Sequence, residues 1–351
     1  MTTARLHCFL PPYLLERLLD SDDPRLRRIG LRSLVSSAAL RAHRSVLPGV
    51  VGRVTAPTEG RRTIFDLQHR ITLADAVVAR TEEGPASADP SVNAAYEGLG
   101  TTRDFYRQVL DRDSLDGRGM RLDGYVHRGR KFNNAFWDGR HMVFGDGDGV
   151  LFTDFTGSLD VIAHELTHGV TQFTADLDYR NQSGALNESV SDVFAVAVKQ
   201  WFLNQTVEEA DWLIGADIFT PDVTADALRS LKAPGTAYDD PRLGKDPQPA
   251  HMRDYVDLPD TEEDDHGGVH FNSGIPNHAF YLAATKLGGH SWKAPALIWY
   301  DALLRAHASS DFADFARGTV DAAGRRYGAG SAEQEAVAAG WDGVGVSVTG
   351  P

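Results

Sequence analysis

The chain has 351 residues, is 42% hydrophobic and 24% charged, and carries a net charge of −14 at neutral pH. This describes a soluble globular protein with room for two domains, and no window reaches the run of about 18 apolar residues that a membrane helix needs. The acidic balance argues against nucleic acid, which rewards basic patches. With a single cysteine, Cys8, no intramolecular disulfide and no cysteine-rich zinc site can form, so any metal must be held by histidine and carboxylate.

Charge is unevenly placed. Residues 1–53 hold nine arginines against four acidic residues, a net +5, and the rest of the chain nets −19. A basic head on an acidic body suggests two parts that attract each other. The opening, MTTARLHCFLPPYLLERLLD, is a poor Sec-type signal, because prolines break its apolar stretch and no small-residue cleavage site follows. Secretion by a route without an evident signal peptide is expected, with cytoplasmic residence the alternative. Residues 11–47 read as helical from the spacing of Leu14, Leu15, Leu18, Leu19, Leu31, Leu34 and Val35, with Pro11 and Pro12 at the helix start. The segment LPGVVGRVTAPTEGRR, residues 47–62, has the composition of an exposed linker open to proteolysis.

The body divides further. Residues 54–185 read as β-rich, with short strands at Thr63–Leu67 and His69–Leu73, a helix at Asn93–Leu110, and alternation between Gly-rich turns from Met120 to Phe152. Helical periodicity then takes over at Leu159–Thr174, Asn187–Phe202, Ser273–Leu287, Ala294–His307, Asp311–Tyr327 and Ser331–Ala339. The expected fold is α+β: a helical head (1–53), a β-rich domain (54–185), a mostly α-helical domain (186–351), and a cleft between the last two.

Residues 160–171 read DVIAHELTHGVT. His164 and His168, at i and i+4, lie about 40° apart on one helix face, a spacing that lets two imidazoles share one tetrahedral zinc. Glu165 is rotated by about 100° and reaches beside the metal, where a general base for a zinc-bound water belongs. Chance placement of the chain's histidines and glutamates yields about 0.02 such matches. A zinc hydrolase needs a third protein ligand, and residues 185–192, Ala-Leu-Asn-Glu-Ser-Val-Ser-Asp, supply Glu188. Asp192, one turn later, is placed to accept the second ring N–H of a ligand histidine.

From about residue 60 to 345 the chain resembles the thermolysin family of neutral zinc metallopeptidases. The resemblance implies a catalytic zinc held by His164, His168 and Glu188, with the zinc-bound water as nucleophile. It implies that Asn133-Asn134-Ala135-Phe136-Trp137-Asp138 forms an edge strand pairing with substrate backbone through Asn134 and Ala135. Tyr179 and His270 would stabilise the oxyanion, Asp265 would orient His270, and Arg229 would clamp a substrate carbonyl. Phe152, Phe155, Val161, Ile214, Ile218 and Leu228 map to a hydrophobic pocket for the side chain after the scissile bond, so cleavage before large hydrophobic residues is expected.

Two departures from the family pattern matter. Where the family holds a double calcium site, Asp160 and Asp211 remain, but Lys199, Leu213 and Ala216 take other positions. A lysine salt bridge in place of the double site is expected, with a weaker single calcium near Thr220, Val223 and Asp226 left open. The short head with Cys-Phe-Leu-Pro-Pro-Tyr-Leu, residues 8–14, resembles the protealysin-like branch, whose precursors carry short propeptides. The head is therefore expected to block the cleft of a monomeric precursor until cut between about Pro48 and Arg62. A Cys8 thiolate approaching the zinc is a narrower expectation, set against Cys8 as a small apolar residue. An aminopeptidase would share the metal motif, but no GAMEN-like segment is present. An inert binding scaffold or a metal-holding structural protein would not require every catalytic position to be filled.

Overall fold

The computed structural model describes residues 7–46 and 61–348, with His7 and residues 36–46 as backbone only. The expected cut between Pro48 and Arg62 falls almost wholly outside the described residues. The head contributes β1 (His7–Cys8), α1 (Pro12–Arg17) and α2 (Pro24–Val46). The body opens with β2 (Arg62–Asp66), β3 (Val77–Thr81), α3 (Pro90–Leu110), β4 (Leu122–Val126), β5 (Ala135–Trp137) and β6 (Met142–Phe144). It continues with α4 (Leu159–Gln172), α5 (Asn181–Leu203) and two short ladders, β7 (Leu213–Ile214) with β8 (Arg229–Ser230) and β9 (Asp239–Asp240) with β10 (Gly244–Lys245). The chain closes with α6 (Asp265–Asn272), α7 (Gly274–Leu287), α8 (Ala294–Leu303), α9 (Phe312–Tyr327) and α10 (Ala332–Gly343). This is the expected α+β architecture, a β-containing first part and a helical second part.

Six strands form one mixed sheet in the order β1-β5-β6-β4-β2-β3. The expected strand at His69–Leu73 does not form. Gln68 and His69 take left-handed backbone angles, and the Asp66 carboxylate accepts the Gln68 N–H, so the chain turns there. The strand comes later, at Val77–Thr81, where Val77 and Val78 are exposed on the sheet's outer edge. Helix α5 starts at Asn181, six positions before the sequence suggests. Gly184 weakens the local helical signal, but a Cβ there would come within 2.4 Å of Val269, so packing against α6 demands the glycine.

Among the described residues the head docks through an added strand and buried apolar side chains. Cys8 pairs with Phe136 and His7 with Trp137, adding an antiparallel strand to the sheet edge. Phe9, Leu10, Leu14, Leu15 and Leu18 are all buried, each worth about 1.5–3 kcal/mol before ordering costs. Glu16 opposes docking: burial first, then the negative charges of Asp265, Glu263, Asp264 and Glu262, push its carboxyl above the ordinary range. Among the described residues, backbone pairing and apolar burial make this contact.

Two ion clusters tie elements together. Lys199 on α5 lies 3.5 Å from buried Asp160 on α4 and 3.0 Å from Asp211. Its ammonium sits where the sequence suggests a salt bridge. His127, just past β4, bonds Asp146 and Asp89 through its two ring nitrogens, both at 2.8 Å, and Asp89 caps α3. His69 also faces Asp146, at 3.2 Å. The hydrogen bond to Asp146 comes first, and with Asp89 it outweighs burial, raising His127 to about 9. A histidine whose folded value is raised contributes stability that is full below its unfolded value of about 6.5 and lost as pH rises through the folded value. Denaturant unfolding should therefore show up to about 3 kcal/mol less stability at pH 10 than at pH 6 from this group, and His127→Gln should shrink that difference. An unchanged difference in the variant would assign the pH dependence elsewhere.

Candidate active site

Helix α4 delivers His164, Glu165 and His168, all buried, against α5, which delivers Glu188 and Asp192. The His164 and His168 Nε2 atoms face each other at 3.0 Å. Glu188 lies 3.4 Å from His164 Nε2 and 3.5 Å from His168 Nε2. Among the described residues these three form a group whose donor atoms all lie within 4.8 Å of one another. Two facing ring nitrogens cannot both keep a proton. Burial disfavours the charged form of His164, yet Asp192 and Glu188 hold it up at about 9, while burial drives His168 down to about 4. The buried Glu188 Oε2 has no hydrogen-bond partner. Two imidazole nitrogens and a carboxylate in a dry site are the donor set of a tetrahedral zinc with one open position. The residues fit that ion.

The other faces of both imidazoles are fixed. His164 Nδ1 bonds Asp192 at 2.8 Å, and Asp192 also accepts two bonds from Arg229 and one from Asn277, each at 2.8 Å. His168 Nδ1 bonds Asn187 Oδ1 at 2.8 Å and lies 3.1 Å from Ser191 Oγ. Such partners set which ring nitrogen is left to face a metal. Asn187, Ser191 and Asn277 escape sequence reasoning. Asn187 and Ser191 lie one residue before Glu188 and Asp192, which is the signal that could have raised them.

The remaining expected residues converge on the same place. Glu165 Oε2 accepts the Trp137 backbone N–H at 2.8 Å, and burial raises its carboxyl to about 8. Tyr179 O–H donates to Glu188 Oε1 at 2.5 Å and lies 3.2 Å from His270 Nε2. Asp265 grips both the His270 ring, at 2.6 Å, and its backbone N–H, at 2.7 Å. Burial lowers His270, but Asp265 and Glu188 hold it at about 9. Four consecutive left-handed residues, Asp265 to Gly268, precede His270. The third, Gly267, can carry no side chain, because a Cβ would lie 2.2 Å from Asn181 Oδ1.

The head runs through this site. The Phe9 N–H donates to Ala135 O at 3.1 Å, and the Leu10 N–H to Asn134 Oδ1 at 2.9 Å. Arg229 reaches Phe9 O at 3.4 Å, and His270 Nε2 lies 3.3 Å from Cys8 O. The Phe9 ring packs edge-on against His164 and under the Arg229 guanidinium. Phe9, Leu228 and Ile218 all come within 3.3 Å of where a Gly215 side chain would sit. Ile214 and Val161 are buried in the same core, where the Phe152 ring packs tilted against both Phe155 and Phe219. The Cys8 thiol is not among the converging metal donors. It shares the face of Phe136 and packs with Phe65, Phe132 and Val143, because paired residues on neighbouring strands point to the same side.

A buried His-Glu-His-Glu centre beside a strand edge, with Tyr179 and His270 converging on it, is the site of a metallopeptidase, and the comparisons agree. Residues 58–172 match the thermolysin metallopeptidase catalytic domain, and residues 175–346 match the thermolysin metallopeptidase alpha-helical domain. The chain belongs to the thermolysin family of metallopeptidases. It is 46% identical over 341 residues to an extracellular metalloprotease of Pectobacterium carotovorum, covering 97% of this chain and 96% of that one. It is 43% identical to Protease PrtS of a Photorhabdus strain, covering 89% and 85%. The structure superposes on the precursor of protealysin from Serratia proteamaculans with a TM-score of 0.86 at 44% identity, covering 97% of this chain and all of that one.

Asp192→Asn should weaken zinc binding about 10–100-fold, since it removes the charge that orients His164. Competition with a chromophoric chelator on the full chain measures this. Unchanged affinity would mean that Asp192 serves Arg229 and Asn277 alone.

Proposed function

We propose that this protein is a latent zinc endopeptidase that cuts peptide bonds on the N-terminal side of large hydrophobic residues. The observation that carries the reading is the course of its own head: the Cys8–Phe9 peptide lies along the edge strand as a substrate would. Phe9 fills the apolar pocket, and the carbonyl before it meets His270. In this register the cleaved bond of a true substrate takes the place of Cys8–Phe9.

Zinc held by His164, His168 and Glu188 supplies Lewis-acid activation of water and polarises the scissile carbonyl. Glu165, oriented by the Trp137 N–H, takes the proton of the attacking water and passes it to the leaving amine. A buried carboxyl with a raised proton affinity suits both halves of that transfer. His270, kept charged by Asp265, and the Tyr179 hydroxyl donate to the carbonyl oxygen as it gains charge. Asn134, Ala135 and Arg229 hold the backbone on the leaving-group side. The head occupies all three, which accounts for latency as a monomer until the linker is cut.

We further assign the Lys199–Asp160–Asp211 cluster as a substitute for a double calcium site. A weak single calcium near Thr220, Val223 and Asp226 stays compatible with this assignment, since Thr220 Oγ1 donates to Val150 O at 2.8 Å and keeps its lone pairs. The relatives named as extracellular proteases support an extracellular location here. Among the described residues no helix is long and apolar enough to cross a membrane.

One assay series tests the reading. The zinc-loaded full chain, nicked in its linker, should cleave an N-blocked peptide before Phe or Leu. Glu165→Gln and zinc chelation should each remove that activity, and calcium-selective chelation should leave it. The intact chain should be latent, and Phe9→Ala should raise its activity at least 10-fold, given about 3–5 kcal/mol for a buried Phe→Ala. Cleavage confined to free N-termini would point to an aminopeptidase. An intact chain as active as the nicked one would refute latency.

A further inference from the structure

His270 is held by more than its ring. On the side where the chain enters, Asp265 grips its backbone N–H and ring Nδ1. On the other side its carbonyl accepts from two side chains, Gln248 Nε2 at 2.7 Å and Ser273 Oγ at 3.2 Å. Gln248 Nε2 also donates to Ser273 Oγ at 3.0 Å, so the three groups close a triangle. A carbonyl oxygen only accepts, so the nitrogen of the Gln248 amide is the end that faces it. Gln248 lies in the loop after β10 and is only 4% exposed.

That loop is itself wedged in place. The Gln248 N–H donates to Asp246 Oδ1 at 3.1 Å, and Asp246 Oδ2 accepts the N–H groups of Gly235 and Ala237, at 2.9 and 3.1 Å, in the loop after β8. A Cβ on Gly274 would come within 3.0 Å of the Gln248 Cβ, and one on Gly235 within 2.9 Å of the Gln248 carbonyl oxygen. The left-handed residues Asp265 to Gly268 interrupt α6 just ahead of His270, so no regular helical turn leads into it. Bonds to both flanking peptides therefore fix the backbone of His270, and its ring goes where that backbone carries it.

We propose that Gln248 is a positioning residue for the reaction: by holding the His270 carbonyl, it sets where His270 Nε2 meets the oxygen that gains charge. The inference rests on the oxyanion role proposed for His270. A hydrogen bond weakens steeply as it lengthens or bends, so a displaced donor loses part of what a correctly placed one contributes.

The test assays variants of the nicked, zinc-loaded chain on one N-blocked peptide. His270→Ala should lower kcat about 100–1,000-fold. Gln248→Met, which keeps the length of the side chain but not its donor, should lower kcat about 10-fold and leave KM within about twofold. In the double variant, Gln248→Met should cost nothing beyond His270→Ala, because a residue that acts through another has no effect once that other is gone. If Gln248→Met does not fold, Gln248→Asn, whose amide falls a methylene short of the carbonyl, carries the same comparison. An unchanged kcat, a loss confined to KM, or an equal loss with and without His270 would overturn the proposal and leave the role of His270 intact. An unchanged kcat in His270→Ala would remove that role and this inference together.

Discussion

Two imidazoles and a carboxylate are held so close in a buried site that they cannot all keep their ordinary protons. Nearly every other feature follows from stabilising that arrangement. His164 and His168 face each other because α4 fixes their i, i+4 spacing. Their backs are held by Asp192 and Asn187 from α5, so neither ring can turn away. Asp192 in turn stays ionised, against its burial, because Arg229 and His164 lower it to about 2. The helix pair α4–α5 thus works as a preformed metal cradle, and its polar groups are expensive to bury unless they are paired or carry a cation.

Arg229 links that cradle to the head segment. One side of its guanidinium anchors Asp192, and the other reaches the Phe9 carbonyl. The head engages the groups to which the proposed function assigns substrate recognition: strand β5, Arg229, the apolar residues around Phe9, and His270. Its hold depends on backbone pairing and on the burial of Phe9, Leu10, Leu14, Leu15 and Leu18, so the two-residue strand does not act alone. The like charges around Glu16 weaken the dock, a feature suited to a segment that must eventually leave.

Much of the site was legible in the sequence, for a physical reason. Zinc chemistry needs fixed residue types at fixed helical spacing, so His164, Glu165, His168, Glu188 and Asp192 announced themselves. Lys199 was legible as a departure, since an ammonium among carboxylates predicts its own ion pairs. Asn187 and Asn277 were not legible, because amides occur in many settings and only the fold aims them. The strand at Val77–Thr81 was missed because an exposed edge strand lacks alternation of apolar and polar residues, and β1 is too short to carry any pattern. Charge asymmetry suggested that head and body meet but not how, since net charge says nothing of register.

The central claim, that the head sits in the cleft as a substrate would, is tested most directly by separating the two parts. A synthetic peptide spanning His7–Arg17 should inhibit the nicked, zinc-loaded enzyme competitively against an N-blocked substrate, and replacing its Phe9 with alanine should abolish that inhibition. Inhibition that is noncompetitive, or indifferent to Phe9, would contradict the account.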